Sequence, residues 1–158
     1  MAAHAQSVGG APPTQWKVGF QGGTVHDNSK TEPVIQLTFG YDIDPTWSVE
    51  ALASLNALFE RDGIGQTGIY EFDHAYGGRV LATLPLSQQW SVVGGLGAVE
   101  VHEDPDLDYH APGRNRTEAM VSAALMYRAN RHWSMGVEAS SFTASHTFNL
   151  GLRGEMHF

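Results

Sequence analysis

Residues Ser87 to Ala98, SQQWSVVGGLGA, contain the pattern that decides the fold. A short polar turn leads into Trp90, and from there every second residue is apolar while the residues between are small or mixed. Alternation of this kind predicts a β-strand with one apolar face. The arrangement recurs at Asp44 to Leu55, DPTWSVEALASL, and at Asn130 to Ser140, NRHWSMGVEAS, so the three tryptophans lie 43 residues apart. A fixed period indicates a repeated unit, here two strands, one tight turn and one longer loop.

Alternating runs elsewhere bring the predicted number of strands to eight. The expected strand cores are Gln15–Gln21, Val34–Ile43, Trp47–Phe59, Tyr76–Leu84, Trp90–Ala98, Glu118–Arg128, Trp133–Ala139 and His146–Phe158. Three connections are short, and the other four are polar and mostly longer, among them Gly22–Pro33 and the acidic Glu100–Arg116. An even number of strands, with short turns at one rim and long loops at the other, is typical of a transmembrane barrel. We therefore expect an all-β chain forming an eight-stranded antiparallel up-and-down transmembrane β-barrel over residues 15–158.

The bulk composition sets the limits of this interpretation. The chain has 158 residues, which suits one domain, and no cysteine, which excludes disulfides and thiol chemistry. Its net charge of −8 disfavours nucleic acid as a partner. Residues 1–14 are expected to be a flexible N-terminal segment. Within it, Ala3-His4-Ala5 is compatible either with the remnant of a secretory signal peptide or with an ordinary leader.

The charged residues of the strands indicate which face points inward. They occupy the less apolar face and comprise four basic and four acidic residues. An eight-stranded barrel is just wide enough for side chains to fill its interior, and charges buried there must be paired. We therefore predict a structural charge network in the lumen, formed by Lys17, Glu50, Arg79, Glu118, Arg128, Glu138, Arg153 and Glu155. In a soluble lipocalin-like barrel, the alternative, these residues would face water and the apolar face would line a cavity.

Aromatic residues on the apolar face favour the membrane. If each tryptophan begins an odd-numbered strand, all of them lie at the short-turn end, where strands 2, 6 and 8 also finish on aromatic residues. Aromatic side chains concentrate at membrane–water interfaces. The predicted interface aromatics are Trp16, Tyr41, Trp47, Trp90, Tyr127, Trp133 and Phe158. Phe20, Phe59 and Phe148 are expected to form a weaker belt near the other rim.

Four stretches carry a resemblance to a known family: FGYDIDPTWSVEALAS, LATLPLSQQWSVVGGLGAVE, LMYRANRHWSMGVEAS and FNLGLRGEMHF. They resemble the strand–turn–strand units and the closing strand of the OmpA-like family of small eight-stranded outer-membrane barrels, which includes OmpX- and OmpW-type proteins. The resemblance covers Gln15 to Phe158. The chain ends in Met-His-Phe, where the family often has an aromatic residue, an arginine and Phe.

The resemblance implies an integral protein of a Gram-negative outer membrane, with extracellular loops and with periplasmic short turns and N-terminus. It implies contact with outer-membrane lipid and lipopolysaccharide, and insertion by the barrel-assembly machinery through the C-terminal strand that Phe158 closes. We expect a monomer with a structural or surface-interaction role. A narrow pore remains an alternative.

Catalytic and metal sites have weaker support in the sequence. Some small outer-membrane barrels modify lipid A, and Ser145 and His146 are adjacent, but neighbouring residues of a strand point to opposite faces. Asn149 follows them, yet the pattern does not match that of lipid A deacylases, so we expect no enzyme. The acidic third loop departs from a calcium-binding loop and is expected to be solvated, although it has side chains that could bind a divalent cation: His102, Glu103, Asp104, Asp106, Asp108 and His110. We therefore predict no catalytic residue, no metal site and no cofactor.

Overall fold

The computed structural model describes residues 15–27, 30–56, 70–105, 114–143 and 148–158. Within these ranges the chain forms eight β-strands: β1 Trp16–Asp27, β2 Lys30–Asp42, β3 Trp47–Asn56, β4 Tyr70–Pro85, β5 Trp90–Pro105, β6 Arg114–Arg128, β7 Trp133–Phe142 and β8 Phe148–His157. Each strand pairs antiparallel with its sequence neighbours, and β8 pairs with β1, so the sheet closes into a barrel. The predicted fold is confirmed. No helix in the described residues is long and apolar enough to cross a membrane.

The three short turns that carry the tryptophan repeat share one hydrogen-bonding pattern. In each, a polar side chain accepts hydrogen bonds from the backbone N–H groups two and three residues further on. The distances are 2.7 and 2.7 Å at Asp44, 3.2 and 3.0 Å at Ser87, and 2.8 and 3.0 Å at Asn130. Short polar side chains stabilise turns in this way because they bond to nearby backbone groups. The 43-residue period is therefore a structural repeat of the turn as well as of the tryptophan.

The strands at the longer-loop end extend beyond their predicted limits. β1 and β2 continue as a paired ladder to Asp27 and Lys30, so most of the predicted loop Gly22–Pro33 is strand. β4 and β5 likewise pair from Tyr70 to Pro105 at that end. The expected loop boundaries were wrong. Beyond the membrane-facing apolar band, two strands can remain hydrogen-bonded although their residues no longer alternate between apolar and polar. Gly23 fits this region, since a Cβ atom there would clash with the backbone of Leu150 and Gly151.

Side-chain exposure shows which face of the sheet points outward. In β8, Leu152 is 70% exposed, whereas its neighbour Arg153 is 5% exposed. Leu96 in β5 is 68% exposed, and large apolar side chains of all eight strands also lie on the outside. A water-soluble barrel would bury this surface, so the lipocalin-like alternative is wrong. The apolar exterior is that of a transmembrane barrel.

The register fixes the width of the lumen. Residue pairs followed once around the barrel from His26 in β1 lead back to Trp16 in the same strand, a displacement of ten residues. Such a stagger requires tilted strands, and with eight strands it leaves an interior that side chains can fill. The inward-facing side chains are therefore in contact across the barrel.

Candidate functional site

A closed ring of two arginines and two glutamates crosses the lumen. Arg79 on β4 donates from Nε to Glu50 Oε2 on β3 at 3.0 Å and from Nη2 to Glu138 Oε2 on β7 at 3.1 Å. Arg153 on β8 binds the same two glutamates, which closes the ring. Because β3 and β4 lie opposite β7 and β8 in the circle of strands, the ring joins opposite walls of the barrel.

Lys17 on β1 extends the ring towards the short-turn end. Its Nζ atom lies 3.3 Å from a Glu50 carboxylate oxygen and 3.1 Å from one of Asp42, and it donates to Ser48 Oγ at 3.0 Å. Asp42 was missed by the sequence analysis, although it is an inward-facing acid at the end of β2. It lies within the predicted strand Val34–Ile43, and its inward parity was the signal that could have identified it.

Seven of the eight residues predicted to form the lumen network are buried in the interior: Lys17, Glu50, Arg79, Glu118, Glu138, Arg153 and Glu155. Glu155 pairs with Arg153 at 2.5 Å, whereas Glu118 pairs with Arg116 nearer the longer-loop end. Arg128 differs from the prediction, because it is exposed and lines the mouth of the barrel. It has the inward parity but lies at the last position of β6, where the wall ends and water reaches the side chain.

The lumen changes character on the loop side of the ring. Buried polar side chains such as Gln21, Gln36 and Ser54, which are hydrogen-bonded to one another, share it there with an apolar cluster. The cluster consists of Leu52, Ala75, Val99, Val101, Met120 and Phe142. Leu52, for example, lies two residues beyond Glu50 on β3, further from the short turns. The sequence analysis predicted a charge-paired interior but did not predict this layer, because inward apolar residues interrupt the alternation on which it relied.

A vestibule of about 930 Å³ opens at the short-turn end, on the other side of the ring. Its lining includes Lys17, Asp42, Glu155 and His157. His157 is buried, and its Nε2 atom lies 3.2 Å from Ser134 Oγ and 3.5 Å from Glu155 Oε2. The interior is thus layered into a polar vestibule, an ionic ring and an apolar cluster.

The predicted interface aromatics lie together on the outside at the short-turn end. The four tryptophans and Phe158 are 44–52% exposed. Trp16 packs edge-on against Tyr41 with ring centroids 4.8 Å apart, and Trp90 packs against Tyr127 at 5.0 Å. The backbone of Phe158 pairs with that of Trp16, and Trp47 and Trp133 begin β3 and β7. In the expected second belt, Phe148 lies at the opposite end of the barrel, where β8 begins. Phe20 is also on the outside, but it lies near the middle of β1 and not at that rim.

The candidate catalytic and cation-binding residues lie mainly outside the described residues. These are Ser145, His146 and the loop residues Asp106, Asp108 and His110. Two other predictions also concern residues outside the described ranges, namely the N-terminal segment 1–14 and Phe59 of the second aromatic belt. Asn149 is described. It lies in β8, and its side chain is buried in the lumen. In the described part of the chain, no group of three or more His, Cys, Asp or Glu side chains is placed to hold a metal ion.

Comparisons with known proteins rest on structure. No protein-family model and no curated protein sequence matches the chain. The barrel domain of Pseudomonas aeruginosa OprF is similar, with a TM-score of 0.67 and 8% identity over 90% of this chain and 97% of that one. Neisserial surface protein A gives a TM-score of 0.63 with 10% identity, covering 90% of this chain and 96% of that one.

A third similar structure is Ail, the attachment invasion locus protein of Yersinia pestis, in complex with the heparin analogue sucrose octasulfate. Its TM-score is 0.59 with 14% identity, and the match covers 90% of this chain and 95% of that one. At such identities the likeness concerns the fold alone. Together with the closed eight-stranded sheet, the apolar exterior and the ionic lumen, it shows that the chain has the fold of the OmpA-like small outer-membrane barrels.

Proposed function

We propose that the protein is a closed barrel of a Gram-negative outer membrane that serves as a structural element and presents a surface for interaction. The observation that carries this proposal is the filled lumen. Arg79, Arg153, Glu50 and Glu138 form a ring from wall to wall, and an apolar cluster lies beyond it. A solute entering the vestibule meets first a network of paired charges and then a packed layer, in which the apolar cluster lies beside the hydrogen-bonded side chains of Gln21, Gln36 and Ser54. This arrangement favours a plug over the narrow pore that the sequence left open.

The ends of the barrel differ in a way that supports an orientation. The tryptophan turns carry the belt of exposed aromatic side chains, which we assign to the periplasmic membrane interface. The longer connections would then be extracellular, where they contact lipopolysaccharide. Phe158 and β8 would present the segment that the assembly machinery recognises, and the pairing of β8 with β1 completes the wall of a monomer.

The charge of the longer-loop end indicates the kind of partner. Seven of the eight net negative charges of the sequence fall in the regions predicted for that end. Such a surface attracts cationic ligands and needs divalent cations to approach lipopolysaccharide phosphates. It would repel a sulfated ligand such as the one bound to Ail. We therefore infer a surface role with cationic partners and, as the sequence led us to expect, no enzymatic activity.

Planar-bilayer recording tests the closed lumen. The refolded full-length protein, checked by a gel-mobility shift between unheated and boiled samples, should insert without producing discrete conductance steps. Uniform steps in most insertions would show a pore and overturn the proposal. An assay of lipid A acyl chains in cells producing the protein should show no change, and release or transfer of an acyl chain would overturn the non-enzymatic assignment.

A further inference from the structure

Two histidines face each other on the outer wall of the barrel. His74 on β4 and His102 on β5 are directly paired in the register, and their ring centroids are 4.8 Å apart. Both are half-buried, and they point outward because the adjacent residues Ala75 and Val101 are buried in the lumen. The pair lies beyond Tyr76 and Glu100, on the side away from the apolar band, where aqueous ions can reach it.

A chain of hydrogen bonds holds one member of the pair in a defined tautomer. Glu100 lies opposite Tyr76 in the register, and its Oε1 atom accepts a hydrogen bond from Asn115 Nδ2 at 3.1 Å. That bond turns the amide so that its Oδ1 atom faces His102 Nδ1. An amide oxygen can only accept, so His102 Nδ1 carries the hydrogen and Nε2 carries the lone pair. This is the arrangement typical of a metal-binding histidine, whose other ring nitrogen donates to an oxygen.

The backbone is irregular on the longer-loop side of the pair. The β4–β5 register is continuous from Pro85 and Ser91 to His74 and His102, and it shifts only beyond them, between Phe72 and His74, which indicates a β-bulge on β4. Bulges occur often beside functional sites. The two histidines are therefore the last pair of the regular ladder, directly next to the bulge.

We propose that His74 and His102 form a two-histidine binding site for a borderline divalent metal ion of the zinc class, with water completing its coordination. Imidazole nitrogens suit zinc, whereas calcium and magnesium prefer oxygen ligands. With zinc–nitrogen bonds of about 2.0–2.1 Å, two chelating imidazoles place their centroids about 4.5–5.2 Å apart for ligand angles from a right angle to a tetrahedron. The observed 4.8 Å lies in this range. The rings are stacked with an interplanar angle of 28°. Rotation of His74 about χ2, a broad torsion in histidine, would turn its nitrogen towards an ion bound by His102 while Asn115 keeps His102 in place.

Titration of the refolded full-length protein with zinc chloride, followed by calorimetry, tests the site. The His74→Asn variant should bind zinc more than about 100-fold more weakly because it removes a ligand, whereas outer-shell changes typically cost about 10–100-fold. The Asn115→Leu variant should show a smaller loss, of about 10-fold, because it removes only the group that fixes the tautomer. His26→Asn is the matched control, since His26 is also an exposed strand histidine but is bonded to Thr31 on a different part of the wall.

The His74 variant separates this site from one formed by the acidic third loop. A loop site would include His102 but not His74, so zinc binding unchanged in His74→Asn would overturn the proposal, as would an equal loss in His26→Asn. Should His74→Asn fail to give the gel-mobility shift of a folded barrel, ¹⁵N spectra of the wild-type histidine rings decide. Two rings shifting together on zinc addition support the pair, and one or none contradicts it.

Discussion

Replacement of Arg153 by methionine tests whether the ionic ring stabilises the barrel. Arg153 is 5% exposed and contacts three carboxylates, those of Glu50, Glu138 and Glu155. After the replacement, Arg79 still binds the two ring glutamates. Glu155, in contrast, loses the arginine that lies 2.5 Å away and keeps His157 at 3.5 Å. The damage should therefore be concentrated on one stranded carboxylate.

The expected loss follows from the cost of leaving a buried charge unpaired. Removal of one partner from a buried ion pair typically costs about 3–5 kcal/mol, and we expect Arg153→Met to lower the free energy of unfolding by that amount. If the cause is the stranded Glu155, adding Glu155→Gln should recover at least half of the loss, because the amide carries no charge. Arg128→Met is the matched control. Since Arg128 is exposed at the mouth, its replacement should change stability by less than about 0.5 kcal/mol.

Urea titration of the protein folded in lipid vesicles, followed by tryptophan fluorescence, measures these differences. The gel-mobility shift confirms that each variant starts from the folded barrel. Equal stability losses in Arg153→Met and Arg128→Met would refute the assignment of Arg153 to a buried network. A double variant that is less stable than Arg153→Met would refute the view that Glu155 is the stranded group.

The other predictions concern packing, turns and the outer face, and the same titration measures them. Gly97→Ala should lower the free energy of unfolding by about 1–3 kcal/mol, because the new Cβ would clash with the Gly78 carbonyl oxygen. Gly94→Ala on the same strand has open space and should leave stability unchanged. Similar effects of the two changes would contradict the stated packing. Asn130→Ala removes two hydrogen bonds to the turn backbone and should cost about 1–3 kcal/mol, whereas no loss would mean that the turn needs no capping. Leu152→Arg places a charge on the exposed apolar face and should cost about 2–4 kcal/mol if the residue lies near the bilayer midplane; a neutral effect would argue against lipid contact there.

The architecture could be predicted because two independent sequence signals agree. Alternation gave the strands and their two faces, and the tryptophan turns gave the 43-residue unit that aligns them. The structure shows why the turn signal is reliable, since Asp44, Ser87 and Asn130 make equivalent bonds to the backbone. The ends of the strands at the other rim could not be predicted, because the outward face of a ladder beyond the apolar band meets water and no longer carries apolar residues at every second position.

Within the site, parity predicted which residues face inward but not how far each lies from the open end. Arg128 has the correct parity, but it occupies the last residue of its strand and meets water. The pairing of His74 with His102 was also hidden. Partners 28 residues apart become neighbours only through the register of β4 and β5, which no local pattern encodes.

The layered interior connects the stability of the barrel with the closed lumen that we propose. Burial of a charge is costly because water is removed from it, and the vestibule restores some water to the side of the network nearest the short turns. Asp42, with 26% of its side chain exposed, lies on that side, while the side chains of Arg79 and Glu50 are fully buried next to the apolar cluster. Arg79 and Arg153 are buried charges with several partners, since each binds both ring glutamates. The multiple pairing that makes these charges tolerable without water also ties opposite walls together, so the lumen cannot open without breaking several ion pairs at once.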